Sequence, residues 1–296
     1  MKKLIVIAGP TASGKTSLSI ALAQHYYSEI ISADSRQFYR RMNIGTAKPT
    51  SAELETIKHH FIDSLEISDK YNIGKYEVDS LDLIESLFLK HNILFLTGGS
   101  GLYLDAICNG IDVLPESTEK LRIELTYQLN KEGIESLQLK LKEVDPEHFH
   151  QIDIQNPHRL IRALEICLST GRKISELRTN KKKKRNFTIK KIGLNIDRTE
   201  LYERINNRVD EMIAKGLVKE VEELLPYKNE NALQTVGYKE IFNYFDKKLS
   251  LTDAIALIKQ NTRNYAKRQM TWFRKDSEIR WFNPTNIDGM KSFIEE

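Results

Sequence analysis

The order of hydrophobic and polar positions along the first 113 residues alternates between short apolar runs and longer stretches with helical spacing. Residues 4–8, 29–32, 60–62 and 93–97 predict β-strands, and helical stretches such as 74–91 separate them. Strands that alternate with helices favour a mainly parallel sheet with helices on both faces. We therefore expect an α/β fold whose ligands bind at the carboxyl ends of the strands.

The pattern changes between residues 114 and 186, where helical spacing continues and strand signals are few. The apolar positions there are Leu121, Leu125, Leu129, Leu137, Leu141 and Val144. Residues 189–196 predict a further strand, and 201–215, 217–225, 239–245 and 252–273 predict helices. This order predicts a core made of 1–113 and 187–296, interrupted by a helical insertion domain at 114–186.

A complete phosphate-binding loop, G-x-x-x-x-G-K-[ST], follows the first strand. Its residues are Gly9, Pro10, Thr11, Ala12, Ser13, Gly14, Lys15 and Thr16. Backbone N–H groups in such a loop surround a di- or triphosphate, and Lys15 adds a positive charge to its outer phosphates. The Thr16 hydroxyl is placed to bind Mg²⁺. A strand–loop–helix context makes a P-loop fold the expectation.

Polar residues follow two other predicted strands. Asp34 lies just after 29–32, and Ser100 lies in a glycine-rich turn after 93–97. A carboxylate beside a phosphate site can bind Mg²⁺ through water or accept a proton, although an aspartate after a strand is also a common turn cap. The strand 93–97 ends without the aspartate that P-loop ATPases place there, which argues against ATP hydrolysis as the main reaction.

Composition narrows the protein class. The chain has 296 residues and a net charge of +4. It has only two cysteines, Cys108 and Cys167, and so small a number disfavours a disulfide framework. With no apolar run long enough to span a membrane and no signal-peptide pattern, we expect a cytoplasmic enzyme. Basic residues concentrate in 178–191 and 259–275. The second cluster has Tyr265, Trp272 and Phe273 among its cations, as in nucleic-acid-binding surfaces. For 181–185 the alternative is a solvated loop.

Seven segments in order along the chain resemble the signatures of the tRNA dimethylallyltransferases, also called tRNA isopentenyltransferases, of the bacterial MiaA type. They are 9–16, 32–35, 45–49, 98–103, 159–165, 234–240 and 262–273. The resemblance extends from residue 4 to about residue 282. One departure is Ser100, where the family usually has threonine, and the hydroxyl is retained.

The resemblance implies transfer of a dimethylallyl group from dimethylallyl diphosphate to N6 of adenosine 37, in tRNAs that read codons beginning with U. Asp34 would accept the N6 proton with help from Ser100, while Lys15, the loop and Mg²⁺ would stabilise the leaving diphosphate. The family further implies a monomer with no obligate protein partner. The residues implied to approach the tRNA anticodon stem-loop are Asp34, Ser35, Arg36, Gln37, Ser100, Arg122, His158, Arg159, Leu160, Ile161, Arg162, Gln234, Thr235, Val236, Gly237, Tyr238, Lys239, Arg263, Lys267 and Arg268.

Three other functions are compatible with parts of the pattern. A P-loop small-molecule or nucleoside kinase needs Lys15 and Thr16 but leaves the helical insertion unexplained. An isopentenyltransferase that acts on free adenylates uses the same chemistry without an anticodon clamp. A non-catalytic RNA-binding protein would use the loop as a switch. For Arg162, the alternative to an RNA contact is an ion pair with Glu165 on the same helix.

Overall fold

The computed structural model describes residues 1–115, 118–179 and 181–296. Six strands form one sheet, and they are β1 (Lys3–Ala8), β2 (Ile30–Ser32), β3 (His59–His60), β4 (Ile93–Gly98), β5 (Thr188–Leu194) and β6 (Ile279–Phe282). All neighbours run parallel, in the order β3-β2-β4-β1-β5-β6. The predicted parallel α/β sheet is confirmed.

Fourteen α-helices are found in the described residues. They are α1 (Lys15–His25), α2 (Ser51–Thr56), α3 (Ile73–Leu87), α4 (Gly101–Asn109), α5 (Glu119–Glu132), α6 (Ile134–Val144), α7 (Pro146–Gln151), α8 (Pro157–Thr170), α9 (Ile174–Leu177), α10 (Arg198–Ala214), α11 (Leu217–Glu223), α12 (Tyr238–Phe245), α13 (Leu251–Phe273) and α14 (Ile287–Glu295). No helix in these ranges is both long enough and apolar enough to cross a membrane.

The central strands β1 and β4 are buried on both faces, because alternate residues enter two different apolar clusters. Leu4 and Val6 face the larger cluster, whereas Ile5 and Ile7 face the cluster that includes α1 and α14. In register, Ala8 of β1 pairs with Gly98 of β4, so the loops that follow the two strands begin side by side. The P-loop and the Ser100 loop therefore start at the same edge of the sheet.

The edges of the sheet differ from the prediction. The strand expected at 60–62 is β3, which ends at His60, because Phe61 and Asp63 have left-handed backbone angles (φ 59° and 53°) and the chain turns there. The strand β6 was not predicted from the sequence. Its short span has only Ile279 and Phe282 buried, with Arg280 exposed between them, so no clear alternation marks it.

The chain divides into two compact units. One, the core unit, contains 1–108 and 184–296, and the other, the helical unit, contains 109–183. The helical unit is built from α5 to α9 around Leu125, Leu137, Leu141 and Leu164, which are fully buried or nearly so. The boundaries of the expected insertion, 114–186, lie within a few residues of those of the helical unit, 109–183.

Candidate active site

The P-loop takes its conformation from two residues with left-handed backbone angles, Ala12 (φ 64°) and Gly14 (φ 89°). A side chain at Gly14 would be strained at that angle, which explains the glycine immediately before α1. The Lys15 ammonium donates to the Pro10 carbonyl oxygen at 2.7 Å. Burial, together with the nearby Arg208, lowers the pKa of Lys15 to about 7, and the Asp34 charge opposes that shift. A bound anion stabilises the charged form of such a buried lysine, so the site favours anion binding.

Asp34 lies directly beyond β2, in the loop at the same sheet edge. Its Oδ1 accepts the Arg36 backbone N–H at 3.0 Å. The carboxylate therefore caps its own turn, which was the alternative to a catalytic role for this aspartate. Burial raises the pKa of Asp34, against the lowering effects of the Arg36 N–H and of Lys15. A carboxylate with a raised pKa can accept a proton near neutral pH, and the cap leaves its other oxygen for a substrate.

The P-loop and Asp34 line one cavity of about 290 Å³ in the core unit. Its polar lining includes Thr11, Lys15, Thr16, Ser32, Asp34, Ser35, Arg36, Gln37, Thr97, Arg208, Thr235, Thr262, Tyr265 and Gln269. Apolar lining comes from Val209, Met212, Val236 and Ile258. The cavity therefore combines a phosphate site, a carboxylate and an apolar wall.

Arg208 is a cavity residue that the sequence reasoning missed. It lies on α10, and one guanidinium nitrogen lies 3.4 Å from the Thr11 hydroxyl oxygen. Burial lowers its pKa, and within the described ranges no carboxylate forms an ion pair with it. A buried guanidinium beside Lys15 is a second cation for a diphosphate.

Gln269 of α13 connects two loops at the cavity. Its Oε1 accepts the Thr11 N–H at 2.8 Å, and its Nε2 donates to the Gly99 carbonyl oxygen at 2.8 Å. A Cβ at position 99 would collide with that amide, so Gly99 is required by close approach. Gln269 thus fixes the P-loop relative to the turn that carries Ser100.

Ser100 does not hydrogen-bond to Asp34. Its Oγ accepts the Ser35 backbone N–H at 3.4 Å, a long bond. Ser100 is thus bonded to the residue that follows Asp34, and its assistance to Asp34 in the reaction stays a prediction.

Comparison with known proteins decides the family. The sequence profile of the family described as IPP transferase matches residues 37–276. A tRNA dimethylallyltransferase of Christiangramia forsetii is 53% identical over 99% of this chain and 97% of its own length. The chain belongs to the tRNA dimethylallyltransferase family.

Solved structures agree with this assignment. A full-length tRNA isopentenylpyrophosphate transferase from Bacillus halodurans is 37% identical, with a TM-score of 0.72, over 100% of this chain and 94% of that one. A eukaryotic dimethylallyltransferase acting on tRNA gives a TM-score of 0.80 at 28% identity, over 99% of this chain and 76% of that one. The P-loop-like fold expected for a tRNA dimethylallyltransferase is confirmed.

In this member of the tRNA dimethylallyltransferase family, some residues of the segment 234–239 line the cavity, and one is buried in the core. Thr235, Val236 and Gly237 line the cavity, and Gln234 and Lys239 are exposed. Tyr238 is fully buried, and its hydroxyl donates to Glu220 at 2.7 Å. A side chain with no exposed surface has none to offer an RNA, so the assignment of Tyr238 to RNA contact is wrong.

Glu220 explains why Tyr238 is buried. The Glu220 carboxylate accepts the backbone N–H groups of Asn43, Ile44 and Gly45 at 2.7 to 3.0 Å, in addition to the Tyr238 hydroxyl. The ring of Tyr238 lies where a Cβ of Gly45 would be. Together they fix the loop 43–47, whose residues from Gly45 onward line the cavity.

Residues Arg36 and Gln37 line the cavity but also bond within the protein. Arg36 donates to the carbonyl oxygens of Asn231 and Ala232 at 2.9 and 3.1 Å. Gln37 donates to those of Thr46 and Ala47, both at 3.2 Å. Their side chains therefore shape the cavity wall.

The outer face of α13 carries the C-terminal basic cluster. Lys267 and Arg268 are exposed, and with Asn264, Thr271, Trp272 and Lys275 they line a shallow surface depression. Trp272 is 42% exposed and donates its indole N–H to Asp105 at 3.0 Å. Arg263 instead donates to Asn206 at 2.7 Å. The exposed cations and the indole form a surface suited to RNA phosphates and bases.

In the helical unit, a buried carboxylate organises two of the expected RNA-binding arginines. Glu165 is fully buried, and Arg122 donates to both its oxygens at 2.6 and 3.2 Å. Arg162 lies 3.6 Å from the same carboxylate, so the alternative ion pair exists. His158 and Arg159 are exposed at the start of α8.

Two other members of this segment are core residues. Leu160 is fully buried and Ile161 is 8% exposed, both in the apolar centre of the helical unit. Their assignment to RNA contact is wrong, because their side chains are covered by neighbouring helices. The apolar positions Leu160 and Leu164 have helical spacing, which is typical of an inward-facing stripe.

The basic run 181–185 contains two kinds of residue. Arg185 is a structural residue of the core unit, since it donates to the Ala106 and Ile107 carbonyls and pairs with Glu77 at 2.9 Å. Lys181, Lys182, Lys183 and Lys184 are exposed. Only these four present their side chains to solvent.

The cavity suits a magnesium ion that is held mainly by the substrate. Its hard oxygen donors include the Thr16, Ser32 and Thr97 hydroxyls and the Asp34 carboxylate. Across the described residues no cluster of three or more His, Cys, Asp or Glu side chains could hold a metal ion. Mg²⁺ typically binds to few protein oxygens together with substrate phosphates and water, so this donor set fits it.

Proposed function

We propose that this chain transfers the dimethylallyl group of dimethylallyl diphosphate to N6 of adenosine 37 in tRNAs that read codons beginning with U. The observation that carries the proposal is the cavity in which the cations Lys15 and Arg208 lie with the Asp34 carboxylate. The family supplies the reaction class, and the geometry supplies a role for each group.

The cations of the cavity would bind the leaving group. As the bond between C1 of the prenyl group and the diphosphate oxygen breaks, negative charge grows on the diphosphate. Lys15, Arg208 and the loop N–H groups stabilise that charge, and they are already held in place by the fold. Bound Mg²⁺, held by Thr16 and the diphosphate, would neutralise further charge on the phosphate oxygens.

Asp34 would act on the acceptor. Its carboxylate accepts a hydrogen bond from the N6 amino group, orients the nitrogen towards C1, and takes the proton that N6 loses when the N–C bond forms. Because an adenine amino group is a weak nucleophile, alignment inside a closed cavity supplies much of the acceleration. The adenine must leave its stack to reach the cavity.

The RNA would be held by exposed cations on both units. Lys267 and Arg268 on α13, Arg159 in the helical unit, and Lys181 to Lys184 offer charge to phosphates, and Trp272 offers a ring for stacking. We propose that the helical unit clamps the anticodon stem-loop.

The test is incubation of the protein with Mg²⁺, labelled dimethylallyl diphosphate and an unmodified anticodon stem-loop that contains A36-A37-A38. Nucleoside mass spectrometry should find N6-prenyladenosine at position 37. A matched stem-loop with guanosine at position 37 is the control. Transfer from γ-labelled ATP to a small acceptor would indicate a kinase. Prenylation of free AMP at low concentration would indicate the free-adenylate enzyme, and either result without a tRNA product would contradict the proposal.

A further inference from the structure

The phosphate-binding loop and the turn that carries Ser100 leave the sheet side by side, but the sheet does not join them further out. Ala8 pairs with Gly98 in the register of β1 and β4, so both loops begin at the same place. Beyond that pair, the described part of the chain has no backbone hydrogen bond between 9–16 and 99–103. The spacing of the two loops therefore depends on contacts made by side chains.

The buried side chain of Gln269 supplies such a contact. It is 5% exposed, its Oε1 accepts the Thr11 N–H, and its Nε2 donates to the Gly99 carbonyl oxygen, both at 2.8 Å. One backbone partner is a donor and the other is an acceptor, and a carboxamide offers one group of each kind. An ionised carboxylate of the same length would accept from Thr11 but repel the Gly99 carbonyl.

The turn that Gln269 contacts also holds the loop that carries Asp34. On one side of Asp34, the Ala33 N–H donates to the Thr97 carbonyl oxygen at 2.7 Å. On the other side, the Ser35 N–H donates to the Ser100 Oγ at 3.4 Å. The residues on both sides of the carboxylate are thus bonded to 97–100, so the position of this segment sets the position of the carboxylate.

We propose that Gln269 is a positioning residue for prenyl transfer, because it sets the distance between the diphosphate loop and the turn that places Asp34. The inference rests on the proposed function, since it concerns the alignment of that reaction's two substrates. The loop would place C1 of the donor through its diphosphate, and Asp34 would place N6 of the acceptor. These two atoms react only when they are aligned, so an error in the distance between the two halves slows transfer.

The role separates transfer from binding. Each polar atom of the Gln269 amide has a partner within the protein, and each substrate would be held by its own half of the site. Loss of the amide should therefore lower the rate of transfer and leave the affinity for either substrate alone nearly unchanged.

The experiment measures three quantities for the wild type, Gln269→Asn, Gln269→Glu and the control Gln260→Glu. They are the single-turnover rate of prenyl transfer to the stem-loop, the Kd for inorganic diphosphate and the Kd for the stem-loop. Asparagine keeps the amide but is one methylene shorter, whereas glutamate keeps the length but, when ionised, has no donor for Gly99. Gln260 is an exposed residue of α13 outside the cavity lining, so its variant repeats the change of charge.

Both Gln269 variants should lose about a hundredfold in the transfer rate, since a misplacement of about 1 Å between reacting groups has an effect of this size. Their two Kd values should stay within about threefold of the wild type, and Gln260→Glu should match the wild type in all three measurements. A residue that only stabilises the fold would instead reduce the fraction of protein that binds diphosphate, while the remaining fraction transferred at the normal rate.

Gly99→Ala tests the same contact by displacing the amide. A Cβ at position 99 would collide with the Gln269 amide nitrogen, so the side chain must move. This variant should also lose transfer with a normal diphosphate affinity. In Gln269→Ala the space is free, so the addition of Gly99→Ala should lower the rate by less than about threefold more. The two losses should therefore not multiply.

Three results would overturn the inference. They are a transfer rate within about threefold of the wild type in both Gln269 variants, a loss of diphosphate affinity as large as the loss of transfer, and losses that multiply in the double variant. Failure of the wild type to prenylate the stem-loop would be a different result. It would refute the proposed function, and this inference with it.

Discussion

Two cations of the cavity differ from two arginines of the helical unit in whether a carboxylate pairs with them. In the cavity, Lys15 and Arg208 lie close enough to lower the pKa of Lys15, and Arg208 has no ion-pair partner among the described residues. In the helical unit, Arg122 and Arg162 surround the fully buried Glu165. Neither Lys15 nor Arg208 forms an ion pair with a carboxylate in the described ranges, whereas Arg122 and Arg162 share one.

Enclosed cations without an ion pair are available to a ligand, whereas paired cations hold the fold. Keeping two enclosed cations together costs stability, and a bound diphosphate would offset that cost. The buried Glu165 carboxylate of α8 joins that helix to Arg122 of α5 and also pairs with Arg162 on its own helix.

The largest effects should come from Asp34→Ala and Lys15→Ala. Each removes a group that acts in the transition state, so kcat should fall by about a thousandfold or more. Prenyl transfer under single-turnover conditions measures this. Thermal melting should show both variants folded, and Asp34→Ala should still bind inorganic diphosphate. A wild-type kcat for Asp34→Ala would refute its role as the base.

Arg208→Ala should lower kcat by about a hundredfold, because one preorganised cation at the leaving group is lost. The matched control is Arg198→Ala at the start of the same helix α10. Arg198 is exposed and lies over the Tyr202 ring, so its removal should leave kcat within about twofold. Equal losses in both variants would show that α10 contributes only general charge.

Arg208 also shows how far sequence reasoning reaches. The P-loop is recognised by the spacing of its residues, and Asp34 is recognised because it follows a predicted strand. Both were therefore predicted from the sequence alone. Arg208 lies within an ordinary amphipathic helix, and only the packing of α10 against the P-loop makes it a cavity residue. Tyr265 and Gln269 lie four residues apart on α13, but sequence spacing does not say which helix face meets the cavity.

The same limit explains the errors at Leu160, Ile161 and Tyr238. These residues lie in segments that resemble RNA-contacting signatures, yet their side chains are buried. A family signature can include buried residues that support a binding surface as well as exposed residues that contact the ligand. For Leu160 the helical spacing gave the correct answer, because it reports burial directly.

Diphosphate binding should take up a proton through Lys15. Its pKa is about 7 in the free protein, and a bound anion favours the charged form and raises that value. Below pH 7 the ammonium is already charged. Above pH 7 the neutral amine must first bind a proton, so the affinity for a diphosphate of constant charge should fall by up to about tenfold per pH unit. Calorimetry in buffers of different ionisation enthalpy measures the uptake.

Lys15→Met is the control for this proton uptake. It should bind inorganic diphosphate more weakly at every pH and without proton uptake near pH 8. Uptake that persists in the variant would place the titrating group elsewhere in the cavity. The result also bears on the comparison of the two regions, since none of the helical unit's arginines should change protonation when diphosphate binds.

The smallest effects should separate two arginines of the helical unit. Arg159 is exposed, and no ion pair is formed by it in the described ranges, so Arg159→Ala should weaken stem-loop binding a few-fold and lower the salt slope by about 1. Arg122 is bound to Glu165, and Arg122→Ala should lower the free energy of unfolding by about 1 kcal/mol, because a buried carboxylate loses its nearest partner. Binding measured against salt concentration, together with urea unfolding, distinguishes the two. If Arg122→Ala changed the salt slope as much as Arg159→Ala while stability stayed constant, the Glu165 cluster would be part of the RNA surface, and the division between ligand-directed and structural cations would fail in this unit.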